Sequence, residues 1–419
     1  MHILIVHQYF LGKNDAGGSR WNQFAKYWSQ AGHKITVLAG TVHYTTGKKR
    51  PEYKGKLVVR EQETENVEVL RCYVSKSYNK SFIGRFWAYV TFAFSSIWAG
   101  LFHTRGCDVI ICTSPPLTVS LTGWILSKLK RVPMVFEVRD LLPESVIDIG
   151  VMKNKWLIKM SYWLEKKSYK TARWINVLTP AFRDALIEKK GVSPDKISMI
   201  PNGADLDIFT PGERNNWVRE KHGLGDKFVV TYVGAHGVAN ALMQLVKVAK
   251  LLKERDPQVQ VMLVGDGMEK PMLKEKAAQW ELDNVLFVDS VPKDMIVDYV
   301  RASDVCTAVL KKVDAYKTVY PNKVFDYLST AKPVIIGIDG VARKLVERAG
   351  AGIYTEPENA EEFADAVLKL KANPRLCTEY GKNGLNFVRQ NFGRDVLANR
   401  YLDILINEIM SEKNNRRQQ

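Results

Sequence analysis

The amino-acid sequence predicts an α/β protein made of two doubly wound, Rossmann-like domains. Short apolar runs typical of buried strands alternate with amphipathic helical stretches, which indicates a mainly parallel sheet covered by helices. This alternation occurs twice, once in each half of the chain. The two series are separated by Ile200-Pro201-Asn202-Gly203-Ala204-Asp205, where proline and glycine interrupt regular structure.

Each series contains six predicted strands. The first series comprises His2–Val6, Lys34–Leu38, Asp108–Cys112, Pro133–Val138, Trp174–Leu178 and Ile197–Ile200. The second comprises Phe228–Val233, Gln258–Val264, Val285–Val288, Val305–Ala308, Pro333–Ile336 and Gly352–Tyr354. We therefore predict one domain over residues 1–203 and another over residues 204–394. Residues 395–419 are expected to form a helix that packs back on the first domain, followed by a polar tail.

The composition is that of a folded protein. A length of 419 residues is too great for one ordinary domain and fits two domains of about 200 residues. Hydrophobic residues make up 46% and charged residues 25%, which excludes a disordered or fibrous chain. The five cysteines contain no C-x-x-C pair, so we expect no disulfide framework and a reducing compartment. The first ten residues lack the features of a signal peptide, and we expect a cytoplasmic location.

The net charge of +16 is concentrated in the first half of the chain. Residues 1–200 contain 30 Lys and Arg against 15 Asp and Glu, whereas residues 201–419 contain 31 against 30. No base-reading helix, aromatic RNA-binding motif or zinc finger accompanies this charge, so we expect no nucleic-acid partner. An anionic membrane surface and a phosphate-bearing substrate are the remaining candidate partners.

Residues 86–104 carry no formal charge and lie between Arg85 and Arg105. This stretch is just long enough to cross a bilayer, but Thr91, Ser95 and other small or polar residues lie within it. Three interpretations stay open: a transmembrane span, a helix in the membrane interface, and an ordinary core or interface helix.

A second segment combines lysines with aromatic residues at helical spacing. Such side chains suit the headgroup layer of a membrane; the alternative is a solvated lysine face with the aromatic rings packed inward. The aromatic residues are Trp156, Tyr162, Trp163, Tyr169 and Trp174. The predicted membrane- and acceptor-binding residues are Lys153, Lys155, Lys159, Lys166, Lys167 and Lys170.

Glycines follow two of the predicted strands. Gly17 and Gly18 precede a helix, where paired glycines let backbone amides approach an anion or a sugar, although a plain tight turn explains them nearly as well. Gly265 and Gly267 are half of a dinucleotide fingerprint. Lys270 occupies the position of its third glycine, which argues against dehydrogenase chemistry.

Several short motifs occur in a characteristic order between residue 2 and about residue 390. They are Gly17-Gly18, Ala31-Gly32-His33-Lys34-Ile35-Thr36-Val37, Ile200-Pro201-Asn202-Gly203-Ala204-Asp205, Tyr232-Val233-Gly234, Leu263-Val264-Gly265-Asp266-Gly267, Lys323-Val324-Phe325-Asp326-Tyr327-Leu328 and Lys332-Pro333-Val334-Ile335. Each motif is weak alone, but together they resemble the family 4 glycosyltransferases, retaining enzymes of the GT-B fold. The segment 136–145 is similar to that of members that build bacterial surface polysaccharides on a lipid carrier.

The resemblance implies that a nucleotide-sugar diphosphate binds in a cleft between the domains, mostly on the second one, without a metal. The residues predicted for donor binding are Gly17, Gly18, Gly234, His236, Tyr320, Asn322, Lys323 and Asp326. For His236, a packed or capping role is an equally good interpretation. The residues implied for catalysis are Asp140, Arg139 and Lys323. A lysine at a predicted helix start also suits a diphosphate on physical grounds. Asp205-Leu206-Asp207 spells D-x-D but belongs to the linker motif, so we expect no metal there and no cofactor besides the substrate nucleotide-sugar.

The sequence departs from the family at the carboxylate pair. The E-x7-E pair falls at Thr318 and Asp326, so the first carboxylate is missing and the second is one methylene shorter. Asp326 can still accept hydrogen bonds from two ribose hydroxyls, whereas Thr318 cannot act as an anionic acceptor for the donor sugar.

Two further departures affect positive charge. Ala235 and Ala241 stand where the family usually has Arg and Lys after the first strand of the second domain, so Lys323, Arg139 or Arg20 would have to supply positive charge. Arg139 itself stands where the family usually has His.

The predicted function is metal-independent, retaining transfer of a sugar from a nucleotide-sugar to a lipid-linked saccharide in cell-surface polysaccharide synthesis. We favour a UDP-sugar as the donor, with an N-acetylated hexosamine as one candidate sugar. The protein is expected to be peripheral on the inner face of the cytoplasmic membrane. Two alternatives stay open: a GT-B sugar-nucleotide epimerase, and a catalytically inactive scaffold that binds sugar nucleotide or membrane.

Overall fold

The structure is a computed structural model and describes residues 1–12, 20–42, 49–77, 82–148, 150 and 152–410. The chain forms two compact units. The first comprises Met1–Pro201 and the segment that begins at Leu397, and the second comprises Asn202–Val396. The domain boundaries predicted from the sequence lie after residue 203 and after residue 394.

The first unit contains an eight-stranded sheet. Its strands are β1 (His2–Val6), β2 (Lys34–Gly40), β3 (Val58–Thr64), β4 (Val67–Cys72), β5 (Val109–Ser114), β6 (Met134–Val138), β7 (Trp174–Val177) and β8 (Ile197–Met199). Their order is β3-β4-β2-β1-β5-β6-β7-β8, and every neighbouring pair except β3–β4 is parallel. The helices of this part of the chain are α1 (Arg20–Gln30), α2 (Phe82–Phe102), α3 (Val119–Lys130), α4 (Glu144–Asp148), α5 (Lys155–Thr171) and α6 (Pro180–Glu188).

The second unit contains a six-stranded parallel sheet. Its strands are β9 (Phe228–Val233), β10 (Val259–Val264), β11 (Val285–Val288), β12 (Val305–Val309), β13 (Val334–Gly337) and β14 (Gly352–Tyr354), in the order β11-β10-β9-β12-β13-β14. The helices are α7 (Trp217–Lys221), α8 (Met243–Arg255), α9 (Lys270–Gln279), α10 (Lys293–Arg301), α11 (Asn322–Ser329), α12 (Val341–Ala349), α13 (Ala360–Lys371) and α14 (Pro374–Asn391). The last helix, α15 (Arg394–Ile404), continues as a π-helical turn over Leu405–Met410.

The two sheets confirm the predicted fold class. All twelve predicted strands exist, and the central strands of both sheets are buried along nearly their whole length. The antiparallel pair β3–β4 was not predicted. Its edge strand β3 has apolar residues only at Val58 and Val59, continues with polar and charged residues, and has no buried residue, so it lacks the continuous apolar run of a central strand.

The last helix contributes to the core of the first unit. Tyr401 packs edge-on against Trp21, with ring centroids 5.7 Å apart, and it also contacts Phe24 and Trp28 of α1. Nε1 of Trp28 donates a hydrogen bond to the carbonyl oxygen of Ala398 at 2.9 Å. From Leu397 onward, α15 is therefore tied into the first unit by both apolar packing and a buried hydrogen bond.

Because neighbouring strands are parallel, their carboxyl ends lie along one edge of each sheet. β1 lies between β2 and β5, and β9 lies between β10 and β12. At such a switch point the connections leave toward opposite faces, so the chain opens a crevice beyond the carboxyl ends of the strands. In the first unit, the residues that follow β1 and β6 are candidates for ligand binding. In the second unit, the residues that follow β9 and β10 are candidates in the same way.

Candidate active site

The end of β9 holds the ammonium group of Lys323. Gly234 follows β9 with φ +147°, a conformation that other residues rarely adopt. A Cβ atom at this position would lie 2.6 Å from Nζ of Lys323. The same Nζ lies 3.6 Å from the ring centroid of Tyr232, a cation–π contact. Glycine at position 234 therefore makes room for the lysine that the sequence singled out.

The environment of Lys323 disfavours its charged form. The side chain keeps partial exposure, but its ammonium group is desolvated, and this burial lowers the pKa of Lys323 to about 7. A bound anion would reverse this effect, because it would favour the protonated ammonium. Lys323 is thus poised to gain charge when a diphosphate arrives.

Lys323 is the second residue of α11, which begins at Asn322. The first turn of this helix contains no acidic residue and no side-chain cap. Oδ1 of Asn322 accepts a hydrogen bond from Nδ2 of Asn202 at 2.8 Å, so the linker motif supports the start of the helix. Tyr320 packs against Phe325 with ring centroids 6.0 Å apart. A helix start of this kind is an anion-binding feature when a cation stands beside it.

The two residues of the carboxylate pair differ in what they can offer. Asp326 is the fifth residue of α11 and is half-buried, one turn beyond the helix start. Oγ1 of Thr318 donates a hydrogen bond to the carbonyl oxygen of Ala315 at 2.7 Å, within a 3₁₀ turn over Asp314–Thr318. The hydroxyl of Thr318 is therefore engaged in its own turn, and Asp326 supplies the carboxylate of the pair.

His236 lies two residues beyond Gly234 and is fully buried. Neither ring nitrogen has a hydrogen-bond partner in the described part of the chain. Burial, and then the nearby charge of Lys270, lower the pKa of His236 to about 4, so the ring is neutral at physiological pH. A buried neutral imidazole with two unpartnered nitrogens is a group that can accept or donate one hydrogen bond to a ligand.

The loops that follow β9 and β10 touch through their backbones. A Cβ atom on Gly265 would lie 2.0 Å from the carbonyl oxygen of Gly234, and one on Gly267 would lie 2.4 Å from that of His236. Nζ of Lys270 donates to the carbonyl oxygens of Gly265 at 2.8 Å and of Val288 at 3.1 Å. Gly265 and Gly267 thus allow the two loop backbones to pack closely. The hydrogen bonds of Lys270 stabilise the loop that carries these glycines.

In the first unit, Arg139 and Asp140 follow β6 and are half-buried. Burial raises the pKa of Asp140 to about 6, and the positive charge of Arg139 opposes this shift. His7 follows β1 and is 4% exposed, and its Nδ1 has no hydrogen-bond partner among the residues that the structure describes. Burial, together with the charge of Arg139, holds the pKa of His7 well below its usual value. These three groups form a polar cluster at the carboxyl edge of the sheet.

The proposal that Arg20 supplies charge to the site is wrong. Its guanidinium pairs with Glu137 at 3.1 Å, and both side chains are almost fully buried. Nη1 of Arg20 also donates to the carbonyl oxygens of Ile200 at 2.7 Å and Pro201 at 2.8 Å. These contacts hold the end of the first unit in place. Arg139 remains as the candidate cation of the first unit and Lys323 as that of the second.

The predicted membrane-binding lysines lie on α5 and just before it. Five of the six are exposed: Lys153, Lys155, Lys159, Lys166 and Lys170. Lys167 is half-buried, with Nζ 4.8 Å from the ring centroid of Trp124. Of the aromatic residues in this segment, Trp156 and Trp163 point outward, at 82% and 55% exposed, whereas Tyr169 is buried. The segment therefore combines features of both interpretations.

Gly17 and Gly18, two of the predicted donor-binding residues, lie outside the described residues. Within the described ranges, no helix is both long and apolar enough to span a membrane, and no group of three or more His, Cys, Asp or Glu side chains is arranged to hold a metal ion.

Sequence reasoning missed Tyr232 and His7. Tyr232 belongs to the motif Tyr232-Val233-Gly234, but the contact of its ring with Lys323 depends on packing between β9 and α11. His7 carried a usable signal, because a histidine directly after a buried parallel strand lies at the edge where ligands bind.

Comparison with known proteins agrees with these features. The profile of the family described as Glycosyl transferase 4-like domain matches residues 16–203, and that of Glycosyl transferases group 1 matches residues 215–387. The chain is 26% identical to D-inositol 3-phosphate glycosyltransferase of Kribbella flavida over 223 residues, which cover 51% of each protein. It thus spans about half the length of this relative.

Solved structures show the same fold over nearly the whole chain. Sucrose-phosphate synthase from Thermosynechococcus elongatus superimposes with a TM-score of 0.74 at 19% identity, covering 98% of this chain and 99% of that one. Anabaena HepE in complex with UDP superimposes with a TM-score of 0.71 at 18% identity, covering 97% and 99%. The two family matches, over residues 16–203 and 215–387, show that the chain belongs to the family 4 glycosyltransferases, and the solved structures show the GT-B fold.

Proposed function

We propose that the protein transfers a sugar from a nucleoside diphosphate sugar, with retention of configuration and without a metal. The contact between Lys323, Gly234 and the ring of Tyr232 carries this proposal. It keeps a desolvated ammonium group at the start of a helix, and the helix N-terminus and the ammonium both favour a diphosphate. As the bond from the sugar to the diphosphate breaks, Lys323 stabilises the negative charge that develops on the leaving group.

The nucleoside is proposed to be uridine bound through its ribose. Asp326 offers one carboxylate to two adjacent ribose hydroxyls, an arrangement that an amide cannot reproduce. The UDP complexes of the structural neighbour Anabaena HepE support this choice of nucleotide. Donor contacts from Tyr320, Asn322 and His236 complete the proposed set.

The first unit is proposed to bind the acceptor. Asp140, with its pKa of about 6, is mostly ionised at neutral pH and can accept a hydrogen bond from the attacking hydroxyl. Arg139 beside it supplies positive charge for the same site. The acceptor is proposed to be a lipid-linked saccharide used in surface-polysaccharide synthesis. The segment 136–145 supports this proposal, because it resembles the corresponding segment of family members that build such polysaccharides.

Calorimetric titration of UDP tests the donor site. We expect Lys323→Met to weaken UDP binding by about 10- to 100-fold, the usual range for a lost charge-assisted hydrogen bond. Lys344→Met is the matched control, since Lys344 is exposed on α12 and should leave the affinity unchanged. Equal UDP affinity in the wild type and the Lys323 variant would place the donor elsewhere.

Incubation with labelled UDP-sugars tests the reaction. We expect label in a detergent-dispersed lipid acceptor, unchanged turnover in the presence of a chelator, and the same anomeric configuration in product and donor. An epimerised donor would identify an epimerase, and no turnover of any donor would identify a scaffold.

The exposed lysines of α5 are proposed to bind an anionic membrane. Each well-placed cation contributes about 1 kcal/mol near an anionic surface. Replacing the exposed α5 residues Lys155, Lys159, Lys166 and Lys170 by Glu should release the protein from anionic vesicles while UDP affinity is kept. The control variant makes the same charge change at exposed lysines of the second unit, Lys247, Lys344, Lys369 and Lys382. Loss of binding in both variants would mean that net charge alone is responsible.

A further inference from the structure

One face of α2 presents large apolar side chains to the surroundings. Their exposed fractions are 78% for Ile83, 55% for Trp87, 71% for Phe94, 48% for Trp98 and 65% for Phe102. At 100° per residue these five positions fall within an arc of about 100°, so they form one stripe along the helix. We call this stripe the α2 apolar face.

The opposite face of α2 is packed closely and fixes the orientation of the helix. Oγ of Ser96 lies 2.9 Å from Oγ1 of Thr122 on α3, and Oγ of Ser95 donates to the carbonyl oxygen of Tyr73 at 2.8 Å. A Cβ atom on Gly100 would lie 2.4 Å from Cδ1 of Leu126, which shows how closely α2 and α3 approach. The α2 apolar face therefore cannot turn inward without breaking buried contacts.

The size of the α2 apolar face calls for a partner. Four of its five residues are aromatic, and a fully exposed aromatic side chain presents about 150–250 Å², so the stripe exposes roughly 500 Å². A contiguous patch of this size is at the upper end for a monomeric protein and usually marks an interaction site.

The neighbouring helices indicate a membrane as that partner. α3 packs against both α2 and α5, and the rings of Trp124 on α3 and Trp163 on α5 lie 6.4 Å apart. The exposed Trp156 and the exposed lysines of α5 thus belong to the same side of the first unit. Aromatic rings bordered by lysines match the interface of an anionic bilayer, whereas a second copy of this surface would bring lysines against lysines.

We propose that the α2 apolar face lies flat in the interfacial layer of an anionic phospholipid bilayer, with Trp87, Phe94 and Trp98 inserted among the lipids. This inference deepens the membrane part of the proposed function and rests on it for its biological meaning. The α5 lysines supply attraction to lipid charge, and the α2 apolar face supplies a component that salt does not screen.

α2 also contacts the segment that follows β1 in the first unit. Oη of Tyr89 on α2 lies 3.4 Å from Oη of Tyr9, two residues beyond His7 at the carboxyl edge of the sheet. Tyr89 lies on the side of α2 opposite the α2 apolar face. The thickness of the helix, about 10 Å, would therefore separate the lipid surface from the segment that carries His7 and Tyr9.

The test compares binding to phosphatidylcholine–phosphatidylglycerol vesicles at about 0.1 M and about 0.5 M sodium chloride, where surface charge is strongly screened. We expect the wild type to keep measurable binding at the higher salt concentration. The variant Trp87→Ser/Phe94→Ser/Trp98→Ser should lose this residual binding by at least about tenfold. The control variant Met268→Ser/Met272→Ser removes exposed apolar side chains from the second unit and should bind as the wild type does.

Four additional measurements make the outcome decisive. Lipids brominated along their acyl chains should quench tryptophan fluorescence of the wild type more strongly than that of the triple variant, and circular dichroism confirms that the variant is folded. UDP titration reports separately on the donor site, so its failure would contradict the proposed function alone. Salt-resistant binding that is equal in the wild type and the triple variant would overturn the inference. So would a change from dimer to monomer in the triple variant, by sedimentation velocity, with vesicle binding unchanged.

Discussion

Replacement of Gly234 by alanine is the sharpest perturbation of the candidate donor site. The added methyl group would lie 2.6 Å from Nζ of Lys323 and 3.2 Å from Oη of Tyr232. Because the ammonium is the free end of a flexible chain, it can move aside at little cost in packing. We therefore expect Gly234→Ala to displace the cation from the ring of Tyr232 without dismantling the sheet.

The magnitude follows from what is displaced. A charge-assisted contact to a phosphate contributes about 1.5–3 kcal/mol, so UDP affinity should fall by about 10- to 100-fold. Alanine at φ +147° is also strained, which should lower the free energy of unfolding by about 1–3 kcal/mol. Affinity measured by calorimetry and stability measured by urea denaturation separate these two effects.

The same loop offers a matched control. Gly237 has φ −111°, and a Cβ atom there would meet nothing closer than Nδ2 of Asn240 at 4.0 Å. Gly237→Ala should therefore leave both stability and UDP affinity nearly unchanged.

A double-mutant cycle provides the refutation. If Gly234→Ala acts by moving the ammonium group, it should cost almost no further UDP affinity when Lys323 is already methionine. An equal loss in both backgrounds would show that the glycine serves some other purpose. Unchanged affinity in the single variant would refute the proposed diphosphate site.

Three further predictions concern the second unit. The pKa of Lys323 is about 7 and the protonated form binds the diphosphate, so UDP affinity should fall as pH rises above 7, by up to about tenfold per pH unit. Calorimetry in buffers of different ionisation enthalpy should detect proton uptake on binding at pH 8. The variant Lys323→Met should show neither effect. Asp326→Asn should raise the Kd of UDP about tenfold. The melting temperature should change little, because Asp326 lies beyond the first turn of α11, and Asp326→Glu should be tolerated. If the Asn variant binds UDP as tightly as the wild type, the proposed ribose contact is contradicted. Ala241 has φ +45°, so Ala241→Gly should raise the free energy of unfolding by about 0.5–1 kcal/mol in urea denaturation, while the control Ala239→Gly should lower it.

Local patterns in the sequence were sufficient to predict the two α/β domains. A strand buried on both faces needs a continuous apolar run, and a helix that covers it needs one apolar face, so both signals lie within about ten residues of chain. The start of α11 at Asn322, with a lysine beside it, could be predicted in the same way. The edge strand β3 was missed because none of its residues is buried and it carries charges instead of such a run.

Long-range packing decided what the candidate cations do. Arg20 and Lys323 are both basic residues near helix starts, and nothing local distinguishes them. The fold buries Arg20 against Glu137 and the carbonyl of Ile200, whereas it leaves Lys323 over the ring of Tyr232. These partners lie far apart in the sequence, so only the assembled sheets determine which cation is available to a ligand.

The orientation of α2 shows the same division. Its sequence is apolar on all sides, so periodicity could not separate a core helix from one in the membrane interface. The structure places the small residues Ala88, Ala99 and Gly100 inward and leaves Trp87 and Phe94 outside. Close approach to α3 selects small side chains for the packed face. The sequence alone therefore determined that α2 is an apolar helix, and only tertiary packing decided which of its side chains stay exposed.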